Sequence, residues 1–371
     1  MTTVWDVDGW TPLAPLREEV SADVCVVGLG GSGLTAVSAC RDAGLSVVGI
    51  DAGSVAGGAA GRNGGFLLAG LAYPHHRMVA LLGRARAAEL HRLTLTEMAR
   101  IRAATPDTVR LTGSLRIEDT DEGLADCALQ LAALRADSFG VEDYDGAEGR
   151  GLLLPDDGVL QPLARCRGLA VGGGLHEGTP AVRIEPGLVT TPRGSVRCGS
   201  VLVCVDGRLD LLLPELAGIV RTVRLQMLAT APTDEVSVPR PVYLRDGYEY
   251  WQQTPDGRVA LGGFRDAGGD AEETTETAPT EVVQAALERH LRERIGVTAA
   301  VTARWGASVG YTRSGLPYVG EVRPGVYAAG GYCGTGNVVG ALCGRALVAM
   351  ATGADVPELA FRDVSQAVNR A

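Results

Sequence analysis

No lysine occurs anywhere in the 371 residues, so all 34 basic side chains are arginine. That excludes a Schiff-base lysine, and with it pyridoxal phosphate anchored in the usual way, and it excludes the lysine of a Walker phosphate loop. Uninterrupted apolar runs of about 18 residues are missing as well, which leaves no candidate membrane span. No basic run breaks the acidic balance, a formal charge of -10 and a pI of about 5.1, so neither nucleic acid nor an anionic membrane is an expected partner. The eight cysteines, at 25, 40, 127, 166, 198, 204, 333 and 343, form no C-x-x-C and no zinc-spaced cluster with histidine, so no metal site is expected. Cys25 and Cys204 sit in apolar runs and read as small core residues. A reduced, cytoplasmic protein fits this usage. Asp6, Asp8, Pro12 and Pro15 precede any hydrophobic run, so no signal peptide is expected.

The most informative stretch runs from Asp23 to Gly53, DVCVVGLGGSGLTAVSACRDAGLSVVGIDAG. Val24 to Val27 is short, apolar and β-branched, as in a strand buried on both faces of a parallel sheet. Gly28, Gly30 and Gly33 follow with G-x-G-x-x-G spacing. In such a turn the first glycine permits the tight bend, the second lets a pyrophosphate approach the backbone, and the third lets helix and strand pack closely. A helix from about Gly31 to Ala43 aims its free N–H groups at the phosphates. Val47 to Ile50 is a second strand, ending in Asp51, twenty-three residues past Gly28, where a carboxylate can accept hydrogen bonds from an adenosine ribose. A glycine-rich turn alone is weak evidence in a chain with 51 glycines. Here strand, turn, helix, strand and acid coincide.

The length allows one large or two medium domains, and two are expected. Residues 1 to 20 read as an extended arm. After Asp51 the loop AGSVAGGAAGRNGGFLLAG is too rich in glycine for a regular element and suits close contact with a flat ligand, a flexible linker being the plainer reading. His75 to Ala103 has helical periodicity, VRLTGSLRIED near 109 to 119 reads as strand or hairpin, and a helix runs from about Asp121 to Ala136. From Pro162 come a helix, PLARCRGLAV, a meander of AVRIEPGLV with GSVRC, and the apolar strand VLVCVDG. VRTVRLQMLAT, PVYLRDGYEYWQQT and GRVALGGF alternate as half-exposed antiparallel strands do, and the helix EVVQAALERHLRERI closes that group. A strand at Val326 to Ala329 then enters a second glycine turn, followed by a helix from about Gly336 to Ala351, whose N-terminus favours arriving negative charge. The fold class is α/β: a dinucleotide-binding domain at 1–74, 150–219 and 312–371, with an antiparallel-sheet substrate domain inserted at 75–149 and 220–311.

The two glycine-turn units and the strings GAAGRNGG, VRLQMLATAP, YWQQTPDGRVALGGF and RSGLPYVG…GVYAAGGYCGTGNVVG together resemble the FAD-dependent D-amino-acid-oxidase family, within the glutathione-reductase-like flavoproteins. The GRNGG loop is similar to that of its γ-glutamylputrescine-oxidase-like branch. The resemblance implies FAD contacts at Gly28, Gly30, Ser32, Gly33, Asp51 and Ala52, at the loop Gly61, Arg62, Asn63, Gly64, Gly65 and Phe66 lining the isoalloxazine, at Val182 through its backbone to the adenine, at Gly207, and at Gly331, Gly334, Thr335, Gly336 and Asn337, where the last helix meets the flavin. The implied reaction is oxidation of a C–N bond of a small-molecule amine to an imine, with oxygen or another acceptor taking the electrons.

Three positions depart from the family pattern. Val309 stands where amino-acid oxidases place a carboxylate-binding arginine, which leaves Arg62 or Arg313 for that role. Ala260 matches the oxygen-activating lysine of sarcosine-oxidase-like members, so a dehydrogenase stays open beside an oxidase. The cysteine that carries covalent flavin in those members, near Val309, is absent, so noncovalent FAD is expected, although Cys333 lies in the flavin-facing turn. For the substrate wall and catalysis the candidates are Tyr248, Tyr250 and Trp251, with Arg62. Strand alternation puts Tyr248 and Tyr250 on one face and Trp251 on the other, and core packing is the competing reading for these aromatics. His75 and His76 either reach the site or are solvated. Two other readings remain. An NAD(P)-linked enzyme would need a second G-x-G-x-x-G, which Gly172–Gly174 and Gly262 do not supply. A flavin-binding protein without turnover would fit the missing arginine and lysine. Oligomeric state is not readable from the sequence.

Overall fold

The computed structural model describes residues 3–6 and 9–368; Asp8 and the outermost residues of the proposed nucleotide domain lie outside them. The first sheet is built around the strand Glu19–Val27, whose last four residues are buried. It is flanked in parallel by Ser195–Val203 and by Val47–Ile50. Val326–Gly330 and Leu175–His176 add parallel strands on either side. Strands covered on both faces are expected to be continuously apolar, and VCVV, VVGI and VLV are. Parallel neighbours need a crossover, and helix Gly31–Asp42 supplies the first. The segments read as a meander strand and a separate apolar strand are one nine-residue strand. Its first half pairs with the hairpin Arg183–Glu185/Leu188–Thr190 and its second half with Val326–Gly330.

The last long helix is Val339–Thr352 and begins three residues later than expected. It crosses the first helix so closely that a Cβ on Gly344 would meet the Ser32 carbonyl oxygen at 2.3 Å.

The second sheet has eight strands in the spatial order Val301–Tyr311, Arg221–Thr230, Val259–Gly263, Glu249–Gln253, Val242–Leu244, Ser114–Glu118, Gly149–Leu154 and Glu142–Gly146. All its pairings are antiparallel except that between Val242–Leu244 and Ser114–Glu118. Helix Glu281–His290, extended by a wide turn to Ile295, covers one face with Val283, Leu287 and Leu291. The other face looks towards the first sheet.

Several elements differ from the sequence reading for local reasons. The helix expected from His75 to Ala103 is two, His75–Leu82 and Arg84–Ala104, separated by Gly83 at φ +80°, a left-handed position that ends a helix. The stretch near 109–119 splits between sheets: Val109–Arg110 joins a small sheet with Phe66–Leu67 and Gly158–Leu160, and Ser114–Glu118 enters the large one. The eleven-residue strand Val301–Tyr311 escaped notice because Gly306 and Gly310 interrupt its pattern. Helix Asp121–Ala136 falls where expected, its N-terminus capped by the Thr120 hydroxyl accepting from Gly123 N at 3.0 Å. No single helix among the described residues is long and apolar enough to cross a membrane.

Candidate active site

A cavity of about 740 Å³ lies between the two large sheets, within the range that holds a cofactor or drug-sized ligand. One end is the first glycine turn. Gly28 has φ +99°, and a Cβ there would lie 2.6 Å from the Cys204 carbonyl oxygen; a Cβ on Gly33 would lie 1.9 Å from that of Gly28. Gly33 is therefore a packing glycine away from the cavity wall, while Gly28, Gly30 and Ser32 form the wall. The Ser32 hydroxyl is sealed from solvent and makes no hydrogen bond, and no acidic side chain sits in the first helical turn. An orphaned hydroxyl and free N–H groups beside a lining too tight for side chains suit a pyrophosphate. Asp51 also lines the cavity. Its two oxygens accept from Leu29 N at 2.7 Å and Gly53 N at 2.8 Å. Burial raises its pKa against the pull of those N–H groups.

The glycine loop forms the middle of the cavity. Ala52, Arg62, Asn63, Gly64 and Phe66 line it, whereas Gly61 and Gly65 are turned into the protein. Three consecutive loop carbonyls are held from behind by side chains. Trp305 Nε1 donates to Arg62 O at 2.8 Å, Trp5 Nε1 to Asn63 O at 2.8 Å, and Gln252 Nε2 to Gly64 O. The predicted arm is thus part of the site's scaffold. It is tied down further by Glu177, which accepts from Trp10 Nε1, Leu13 N and Val55 N.

The second glycine turn meets this loop. Gly334, Thr335, Gly336 and Asn337 line the cavity in the turn before the last helix. Gly331 and Gly207 do not line it. Gly331 N instead donates to Asp206 Oδ1 at 2.9 Å, and a Cβ on Gly207 would meet Gly310 N at 2.9 Å. The buried Asp206 carboxylate gathers Gly310, Gly331 and Tyr332 N–H groups. Burial raises its pKa and those donors oppose the rise. Val182 is also off the cavity: it is 65% exposed and its N–H goes to Thr190 O at 2.8 Å, so Thr179, Pro180 and Ala181 line that end in its place.

Of the candidate aromatics only Tyr250 reaches the cavity. Its ring lies over two glycines, Gly64 and Gly262, whose added Cβ atoms would come within 2.9 and 2.4 Å of it. Trp251 is buried in the opposite face and packs edge-on against His290 at 5.3 Å. Tyr248 precedes the strand, in a turn where Arg245 and Asp246 have left-handed φ. Its ring stacks under Arg265 at 4.7 Å, and the same guanidinium lies 4.5 Å over Tyr311. The residue that shares Tyr250's face is Gln252.

His75 and His91 line the cavity and are buried. The solvated reading therefore fails for His75, whose Nε2 is 2.7 Å from Asp137 Oδ2. Burial, aided by the neighbouring His75, lowers the His91 pKa to about 3. His76 pairs with Asp126 at 3.0 Å. Arg313 is exposed and outside the lining, and Arg62 and Val309 line it. Ala260 is buried in the sheet away from the cavity.

The sequence reading missed Asp157, Tyr243, Arg116 and Gln130, which close the end beyond Tyr250. Asp157 stands in a PDDG string that reads as a turn, yet it is fully buried, accepting from Ala69 N at 2.7 Å and Ser114 Oγ at 2.6 Å. Burial pushes its carboxyl up to about 7.

A phosphate-binding glycine turn and a covered polar chamber in one cavity define a dinucleotide-dependent oxidoreductase. The chain belongs to the DAO family of FAD dependent oxidoreductases, whose model matches residues 23–350. It is 27% identical over 372 residues to the probable oxidoreductase OrdL of Rhizobium meliloti (strain 1021), covering 90% of this chain and 83% of that protein. It is 26% identical over 379 residues to γ-glutamylputrescine oxidoreductase of Escherichia coli (strain K12), covering 93% and 87%. Glycine oxidase from Geobacillus kaustophilus superposes with a TM-score of 0.73 at 18% identity, covering 91% of this chain and 96% of that one, so the two share the fold.

Proposed function

We propose that this FAD enzyme oxidises the C–N bond of a small amine, and that the division at 1–74, 150–219 and 312–371 against 75–149 and 220–311 separates cofactor from substrate. The observation that carries the reading is the continuity of one cavity from Ser32 to Tyr250 and beyond, which houses a dinucleotide and a small molecule side by side. The amine is favoured by relatives named for compounds with a C–N bond, γ-glutamylputrescine, glycine and, among solved structures, L-proline.

Bound FAD supplies the two-electron acceptor for a hydride. The chain supplies the rest: Gly28, Gly30 and Ser32 hold the phosphates, Asp51 the ribose, and the Arg62–Phe66 loop with Gly334–Asn337 the ring. Tyr250 is the aromatic floor on which the amine is oriented, and Arg62, which lines the same cavity, is the other candidate group. The Cys333 thiol has a pKa raised by burial and donates to Gly331 O at 3.3 Å, which favours noncovalent flavin. The free cysteines fit a cytoplasmic setting. Ala260, off the cavity in a chain with no lysine, favours an electron acceptor other than oxygen as the second reading.

An anaerobic absorbance scan of the purified holoenzyme against amines and amino acids tests this. Bleaching at about 450 nm by an amine, restored by air, is the expected result. Restoration only by an artificial acceptor makes the enzyme a dehydrogenase, bleaching by α-amino acids alone returns the carboxylate role to Arg62, and absence of any bleaching overturns the reading.

A further inference from the structure

The cavity floor follows a single row of residues that runs across six strands of the second sheet and continues past Tyr250. Residues directly opposite on neighbouring strands share a face. Trp305 pairs with Met227, Met227 with Gly262, Gly262 with Tyr250, Tyr250 with Tyr243, and Tyr243 with Arg116. The row starts under the glycine loop, where Trp305 holds Arg62 O, and ends in a chamber walled by Tyr243, Arg116, Gln130 and Asp157. Strands are spaced about 4.8 Å apart, so this chamber lies one to two spacings, about 5–10 Å, beyond Tyr250.

We propose that this far chamber is a subsite for the substrate's tail and takes an uncharged group that both donates and accepts hydrogen bonds, a terminal hydroxyl or carboxamide. The proposal deepens the amine reading and rests on it for the reacting end.

Charge is disfavoured there for reasons visible in the packing. One terminal nitrogen of Arg116 meets three carboxylates, Glu118 at 3.2 Å, Asp126 at 2.7 Å and Asp246 at 3.0 Å. Arg77 completes the cluster at 2.8 Å from Asp126 and 2.9 Å from Asp246. Two guanidinium groups thus face three carboxylates, and a carboxylate tail would add to the excess. The same excess would attract an ammonium tail, but each of the three carboxylates is already held by a guanidinium. Both would lose hydration in a site that holds the Asp157 carboxyl near neutrality. Uncharged hydrogen-bonding capacity is available. The buried Arg116 Nε–H has no partner, and among the described residues no hydrogen bond to the Tyr243 hydroxyl occurs. Asp157, protonated below about 7, adds a group able to donate or accept.

The test uses a five-carbon primary amine series on the holoenzyme, ending in methyl, hydroxyl, carboxamide, carboxylate or a second ammonium, and reads the flavin bleaching rate at subsaturating amine without air. The hydroxyl and carboxamide members are expected to lead by about tenfold, the worth of one well-made hydrogen bond, and Tyr243→Phe is expected to erase most of that lead. A methyl or charged member in front, or a lead that survives Tyr243→Phe, overturns the subsite. If no member bleaches the flavin, the amine reading fails and calorimetry with butyramide decides the subsite. Binding weakened about fivefold or more in Tyr243→Phe supports it, and no binding or an unchanged affinity overturns it.

Discussion

Asn63 and Asn337, 274 positions apart, exchange amide hydrogen bonds in both directions, at 3.1 and 3.0 Å. The pair locks the loop after the first glycine turn to the turn before the last helix. Each amide also holds backbone. Asn63 Oδ1 accepts from Gly65 N at 2.8 Å, and Asn337 Nδ2 donates to Phe66 O at 2.8 Å. The two halves of the proposed flavin bed are thereby one mechanical unit.

Asn337→Ala is expected to lower unfolding stability by about 1–3 kcal/mol, because it strands buried partners, and to speed flavin release. Thermal unfolding and flavin fluorescence on dilution check this. A double-mutant cycle with Asn63→Ala is expected to show coupling of at least about 0.5 kcal/mol. Strictly additive effects would mean that the amides do not act as a pair.

The fit of Tyr250 over glycine predicts a second result. Gly262→Ala places a Cβ 2.4 Å from the Tyr250 ring, so the ring must move, and slower flavin reduction with a shifted flavin spectrum is expected. Tyr250→Ala opens the space that the methyl needs, so Gly262→Ala should have little further effect in that background. An equal effect in both backgrounds would place the cost elsewhere in the strand.

The opposite faces of the same strand predict a division of effects. Trp251→Ala removes a buried indole from the core beneath helix Glu281–His290, at a cost of about 3–5 kcal/mol. Tyr250→Phe changes only a hydroxyl at the cavity. Denaturant unfolding should fall sharply for the first variant and barely for the second, and stopped-flow flavin reduction should show the reverse ranking among protein that remains folded.

These contrasts also show what a linear reading reaches. The first glycine turn and Asp51 were legible because the turn, helix and acid lie within one short βαβ stretch, where spacing carries the geometry. Tyr250 was legible as a face of a strand. Tyr248 was not separable from it, since the left-handed Arg245 and Asp246 end the alternation just before the strand begins. The resemblance alone implies ligand contacts at Gly207 and Gly331, yet their closeness serves Gly310 and Asp206. The pairing of Tyr243 with Arg116 joins distant segments in parallel and leaves no periodic trace. Trp5 and Gln252 hold the loop through carbonyls, which no side-chain pattern announces.

Asp157 gives the remaining prediction. Its carboxyl keeps its proton to about pH 7 in the folded chain, against an ordinary value of 3.8. Between those limits the folded state binds more protons than the unfolded state. The group's contribution therefore favours folding most below about pH 4, declines as pH rises, and settles to a constant penalty above about pH 7. In Asp157→Asn the new carboxamide would accept from Ala69 N and meet the Ser114 hydroxyl without ever ionising. In denaturant unfolding at stepped pH, the stability of Asp157→Asn relative to the parent should rise between pH 4 and 7 by up to about 4 kcal/mol and then level off. A difference that is flat across that window would mean that Asp157 ionises freely and that its chamber tolerates charge.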